Sequence, residues 1–281
     1  MAWWIPACGR SVQVYKPLAI DTKQHRQNRR TKTLLICGVL LAVLIGIFLA
    51  GLFIGDEALA PDFSRKSLPP STAYPFGTDW LGRDVLLRTI KGLSLSITLG
   101  ALASAVSAVL ATILGMLAAI GSKWLDAIIS WLIDLVMGVP HLVLLILIAF
   151  AMGRGLFGLL VGIALTHWTS LARLVRAEVL QIRSQQYIMV SKRLGHSTGW
   201  ILRHHILPQI APQFIVGLVL LFPHAILHES ALSFLGYGLP PEQPAIGIIL
   251  SESIRTLSGG MWWLAFLPGL MLVILVILFD K

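Results

Sequence analysis

The residues best suited to chemistry are His224, His228 and Glu229, within the stretch HAILHE. Two imidazoles four residues apart share one face of a helix and are able to chelate one ion. The order is not that of H-E-x-x-H zinc proteases, whose general-base Glu lies between the histidines; here Glu229 follows the second. Ionisable groups inside a membrane are costly, so lining a polar path is their default role, with His224 and His228 holding a metal only transiently. Asp134 and His141, seven residues apart, are expected on a common helix face two turns apart, with Pro140 kinking the helix between them. Asp134 and His167 join the candidate path, set against the plainer reading of packed polar residues at helix contacts.

Two glycine motifs fail on context. GRGLFG at 153–158 spells a dinucleotide fingerprint, but that motif needs a preceding strand and a later acid. It reads instead as a tight turn entering a small-residue helix contact through Gly158 and Gly162. LSGG at 257–260 resembles the signature of transport ATPases, yet no G-x-x-x-x-G-K-[ST] is present to hold a nucleotide.

The elements that must position these side chains are membrane helices. The chain of 281 residues is 56% hydrophobic and 12% charged, with a mean hydropathy of +0.82, far from a soluble globule. Apolar runs at 34–54, 93–120, 127–152, 156–172, 210–227 and 261–279 predict six transmembrane helices in an all-α membrane protein. The net charge of +9 is confined to particular loops, which excludes nucleic-acid binding as its purpose and suits a membrane-lipid surface. Basic residues crowd the tail at 1–33 and the loop between the fourth and fifth spans, so both are assigned to the cytoplasm by the positive-inside rule. The chain then reads as a basic N-terminal tail (1–33), a first span (34–54), an outer loop (55–92) and a core (93–281) with a cytoplasmic loop at 173–207. The tail does not resemble a cleavable signal. Cys8 in the tail and Cys37 in the first span are not expected to pair.

The cytoplasmic loop has its own pattern. Leu171, Leu174, Val175 and Ile182 carry the fourth span onward as an amphipathic stalk. A short helix over 187–194 ends at Gly195, suited to a left-handed cap, and Ser197 or Thr198 caps a second helix running to His205. Pro208 marks where that helix gives way to the fifth span. Tyr187, Ile188, Met189, Val190, Ser191 and Leu194 make this segment too apolar for a loop that meets only water, so it is expected to dock into a partner.

The glycine, helix and RHHILP at 203–208 together resemble the "EAA" loop of binding-protein-dependent ABC importer permeases of the oligopeptide, dipeptide and nickel type. FGTDWLGRDVLLRTIKGLSLS at 76–96 is similar to the segment before the second span of their second permease subunit. HWTSLARLVR at 167–176 and LSFLGYGLPPEQPAIGIIL at 232–250 extend the similarity over roughly 76–279. Aligned on Gly195, Met189, Val190 and Ser191 stand where the family has Glu-Ala-Ala, so the signature acid is absent. The resemblance implies a type I importer permease in a bacterial cytoplasmic (inner) membrane, N-terminus cytoplasmic, moving peptides, nickel or chelated metal. It also implies a homologous permease as the other half of a heterodimer, two cytoplasmic ATPase subunits, and an extracytoplasmic solute-binding protein. The chain itself is then no enzyme and binds no cofactor, with ATP and Mg held by the ATPases, and 187–195 is their coupling segment. An intramembrane metal-dependent hydrolase and a non-ABC carrier or channel are the alternatives.

Overall fold

The structure, a computed structural model, describes residues 22–55 and 59–280. Most of the tail at 1–33 lies outside the described residues, as does Cys8. Two compact units make up the chain, Met1–Ala42 and Val43–Lys281, and the second carries the helical core. Helix α1 (Thr22–Phe53) starts well before the apolar run at 34. It is followed by α2 (Val85–Ile120), α3 (Lys123–Gly138), α4 (His141–Ala151), α5 (Leu156–Arg183), α6 (Gln186–Arg193), α7 (Thr198–Ile201), α8 (Leu207–Phe234), α9 (Ile246–Leu257) and α10 (Trp263–Asp280). Among the described residues the only β feature is an isolated bridge between Thr78 and Asp84.

By length and composition, α2, α5 and the continuous run Thr198–Phe234 are each able to cross a membrane. The bent pair α3 and α4 makes a fourth candidate, and Gly38–Phe53 and Trp263–Phe279 are shorter apolar helices. All six expected runs therefore fall on helices, but the third is broken rather than kinked. α3 and α4 meet at 100°. The cause is local: Val139, preceding Pro140, is extended (φ −97°, ψ 139°), as crowding by the proline ring demands, and Pro140 brings no N–H to continue the helix.

Helix α2 is central because its sequence lets neighbours come close. Gly92, Ser96, Gly100, Ser104, Ala108, Ala111 and Gly115 are buried at near-helical spacing, a stripe of small residues that permits backbone approach without a bulky core. Helices α5 and α8 pack on it. Between α2, α3, α5 and α8 lies a core of Ala111, Ile129, Trp168, Val175 and Ile210. Closer to α9 and α10, Leu93, Ile226, Ile249 and Leu275 form another. Helix α9 packs tightly on α8 at Gly247, where a Cβ would collide with the Ser230 carbonyl oxygen and lie 2.8 Å from the Phe234 nitrogen. Gly247→Ala is therefore expected to cost about 1–3 kcal/mol through overpacking, read as a lowered unfolding midpoint in detergent micelles. An unchanged midpoint would contradict this helix contact.

Residues 76–91 form a structured element, as their turn residues imply. Asp84 caps α2, accepting from the Leu86 and Leu87 amides. Asp79 Oδ1 accepts from the Leu81 and Arg83 amides at 2.9 Å each. Its Oδ2 meets Arg83 Nε at 2.7 Å and Arg88 Nη1 at 2.6 Å. Glu252 of α9 closes the network, 3.2 Å from Arg83 and 2.9 Å from Arg88.

Candidate functional site

A cavity of about 770 Å³ opens beside the break between α3 and α4, walled by Gly138, Pro140, Thr166, Leu171, Gly217 and Leu221 among others. This volume suits a small ligand. His141, His167, His224 and His228 line it. The helix break sets His141 at the start of α4, α5 contributes His167, and the second half of α8 contributes His224 and His228.

Three of these rings meet. One ring nitrogen from each of His141, His167 and His228 lies within 4.8 Å of the other two. Their centroids are 4.6, 4.6 and 4.9 Å apart, with planes at 81–83° to one another. The expected chelating pair is thus rearranged: His228 joins histidines of two other helices, while His224 is exposed and lies outside the trio. His167 Nδ1 lies 3.0 Å from the Ile163 carbonyl, and His228 Nδ1 lies 2.8 Å from the His224 carbonyl. A carbonyl only accepts, so both Nδ1 atoms carry the proton and both Nε2 atoms present a lone pair. His141 Nε2 and His167 Nε2 are buried without a hydrogen-bond partner, at a cost of about 1–3 kcal/mol for each such atom.

Two expected path residues lie elsewhere. Glu229 does not line this cavity; it is fully buried against α2, accepting from Ser96 at 2.5 Å and Ser233 at 2.9 Å, with Ser230 at 3.3 Å. Successive helical residues are about 100° apart around the axis, so a side chain next to His228 faces another neighbour. Asp134 is exposed on α3 and pairs with Arg173 of α5 at 2.9 Å. The helix break removes the common face it was expected to share with His141. Sequence reading also missed Asp126, which binds Arg176 through two hydrogen bonds of 2.6 and 2.7 Å and ties α3 to α5. An acid in the first turn of a capped helix was its available signal.

At the α6 end, the chain turns as its glycine suggests. Gly195 has φ +85°, its amide donates to Lys192 and that of His196 to Ser191, and Ser197 caps α7 through the Trp200 amide. Three details differ from expectation. Ile188 is wholly buried in the chain's own core, because an apolar face on so short a helix must anchor it. Ser191 is likewise engaged internally, 3.1 Å from His205 Nε2. The second helix does not give way at Pro208: a π-helical turn at Leu202–Ile206 carries it into α8, and its wider hydrogen-bond step accommodates a residue that lacks an N–H.

Residues 111–280 match the family described as binding-protein-dependent transport system inner membrane component. The chain belongs to this family. The permease is 32% identical over 95% of its length to the dipeptide transport system permease protein DppC of Bacillus subtilis (strain 168), covering 84% of that protein. It is 33% identical to the oligopeptide transport system permease protein OppC of the same organism, over 80% of this chain and 77% of that one. Among solved structures, the inward-facing MetNI methionine ABC transporter resembles it with a TM-score of 0.56 at 18% identity, over 70% of this chain and 91% of that one. The permease is a multi-pass, all-helical membrane subunit with the type I ABC importer fold.

Proposed function

We propose that the permease is one half of a heterodimeric translocation pathway in the bacterial cytoplasmic membrane, N-terminus cytoplasmic. A homologous permease supplies the other half, two cytoplasmic ATPases bind the α6 end, and a solute-binding protein delivers substrate at the other end of α8. ATP and Mg belong to the ATPases, whose closure would move α6 and α7 and, through the continuous helix into α8, the wall of the cavity. Peptides are the substrate class that the names of DppC and OppC support. A non-ABC carrier or channel would have no need of the docking face described next. An intramembrane hydrolase would need a general base beside its metal, and Glu229, hydrogen-bonded to serines, is spent elsewhere.

The observation that carries the coupling role is the surface of α6. Buried Ile188 fixes the helix to the core, while Tyr187, Met189, Val190 and Leu194 remain 39%, 49%, 55% and 73% exposed. An apolar face held rigidly outward is what a helix-in-groove contact uses. Leu194→Glu is therefore expected to weaken co-purification of the ATPases by roughly tenfold or more, since a central apolar anchor is worth about 2 kcal/mol or more. Membrane insertion and elution should be unchanged. Undiminished ATPase capture by the variant would sink the assignment.

A further inference from the structure

The trio His141, His167 and His228 is poorly explained as packing. Apolar side chains would fill the junction of α4, α5 and α8 without desolvating polar nitrogens, yet two Nε2 atoms are buried there with no partner. Two of the rings are already set as metal ligands are set elsewhere: each gives its Nδ1–H to a backbone carbonyl, His167 to Ile163 and His228 to His224. That bond fixes ring orientation and tautomer and leaves Nε2 free.

We propose that these three histidines form a coordination site for a first-row divalent metal ion within the cavity, a staging point for a metal substrate. This rests on the permease reading and sets a metal substrate against the peptides that the names of DppC and OppC support. Neutral imidazole suits nickel, copper or zinc, whereas magnesium and calcium favour oxygen ligands. Metal–nitrogen bonds of about 2.0–2.1 Å would bring the three nitrogens to roughly 3.3 Å from one another in a tetrahedral arrangement. All three nitrogens lie within 4.8 Å of one another, so a small inward movement of the rings would complete the site around an ion. A site that must be closed in this way would hold its ion loosely enough to pass it on. With Glu229 turned away, three neutral donors leave the ion's charge uncompensated in a largely apolar cavity. The ion is therefore best accepted with anionic ligands of its own, for which the cavity of about 770 Å³ has room. Coordination exchange is the only chemistry involved.

The test uses the full-length chain purified in detergent, with Ni²⁺ added alone and as its citrate complex, and binding followed by equilibrium dialysis. Wild type should bind one ion that His167→Gln with His228→Gln weakens by at least about tenfold. His228→Gln alone, at a half-buried position, serves as a variant less demanding of the fold. His204→Ala, exposed and outside the cavity, should bind as wild type does. Co-eluting monodisperse protein is required of every variant. Isotherms that superimpose for wild type and the double variant overturn the site, assigning any binding to exposed histidines such as His196 and His204. ATPase co-purification is measured on the same preparations. Retained ATPases without trio-dependent nickel binding overturn the metal site and leave the permease reading standing. Trio-dependent binding without ATPases upholds the site and overturns the assembly.

Discussion

Asp79→Ala is expected to destabilise the permease by about 3–5 kcal/mol, because it leaves a buried guanidinium short of its partner. The Arg88 side chain is 3% exposed and that of Asp79 7%, and they meet at 2.6 Å. Removing the carboxylate also strips acceptors from the Leu81 and Arg83 amides. Glu252, 23% exposed, still offers Arg88 one contact, so Glu252→Gln should cost clearly less. Replacing Asp79 and Arg88 together by Leu and Met should recover part of the loss, since no charge is then stranded. Denaturant unfolding in mixed micelles reads all four proteins. Equal stability of Asp79→Ala and wild type would mean that the network is not closed as described. Loosening of α9 should accompany the loss, seen as faster labelling of a cysteine placed at exposed Ile254.

The network also marks what the sequence discloses and what it hides. Arg83 and Arg88 are visible as cations needing acids, and Asp79 lies in the same turn-rich segment. Glu252 sits on a helix far along the chain, and no local period connects it to Arg88. The helices themselves were legible because hydrocarbon runs in lipid permit little else. The break at Pro140 was legible as a kink, but its 100° angle depends on extended Val139 as well as on the missing N–H. Among the histidines, spacing singled out His224 and His228 because a helix face is a local property. The trio is a property of three helices, so His141, set beside Asp134, and His167, a separate path candidate, could not be joined to His228 until α4 and α5 were placed. Glu229 misled for the opposite reason: adjacency to His228 in sequence separates two side chains on a helix.

Gly195→Pro is expected to abolish coupled transport while leaving unfolding stability nearly unchanged. The residue stands at φ +85°, a region closed to proline, whose ring holds φ near about −65°. Proline also removes the amide that donates to the Lys192 carbonyl at 3.1 Å, and the accompanying bond from His196 to Ser191, at 3.2 Å, depends on the same turn. With the turn reversed, α7 cannot return beside α6, and the contacts of Tyr187 with Gln209 and of Ser191 with His205 are lost. The rigid link from α6 to α8 goes with them. Residues 194–200 are exposed, so the flanking Ile188 and Ile201 are the core residues at stake and the rest of the core should unfold as before. A Cβ at this position would meet nothing within 4 Å, which makes the requirement one of backbone angle alone. Gly195→Asn, which tolerates the left-handed region, should therefore keep most activity, and Gly195→Ala should fall between the two. The assembled transporter in proteoliposomes checks this through ATP-driven substrate uptake and substrate-stimulated ATP hydrolysis. Loss of both in the proline variant, with recovery in asparagine, is the expected pattern. Full coupling in the proline variant would remove the turn from the transmission path, and equal loss in asparagine would mean that glycine is needed there for close approach to a partner.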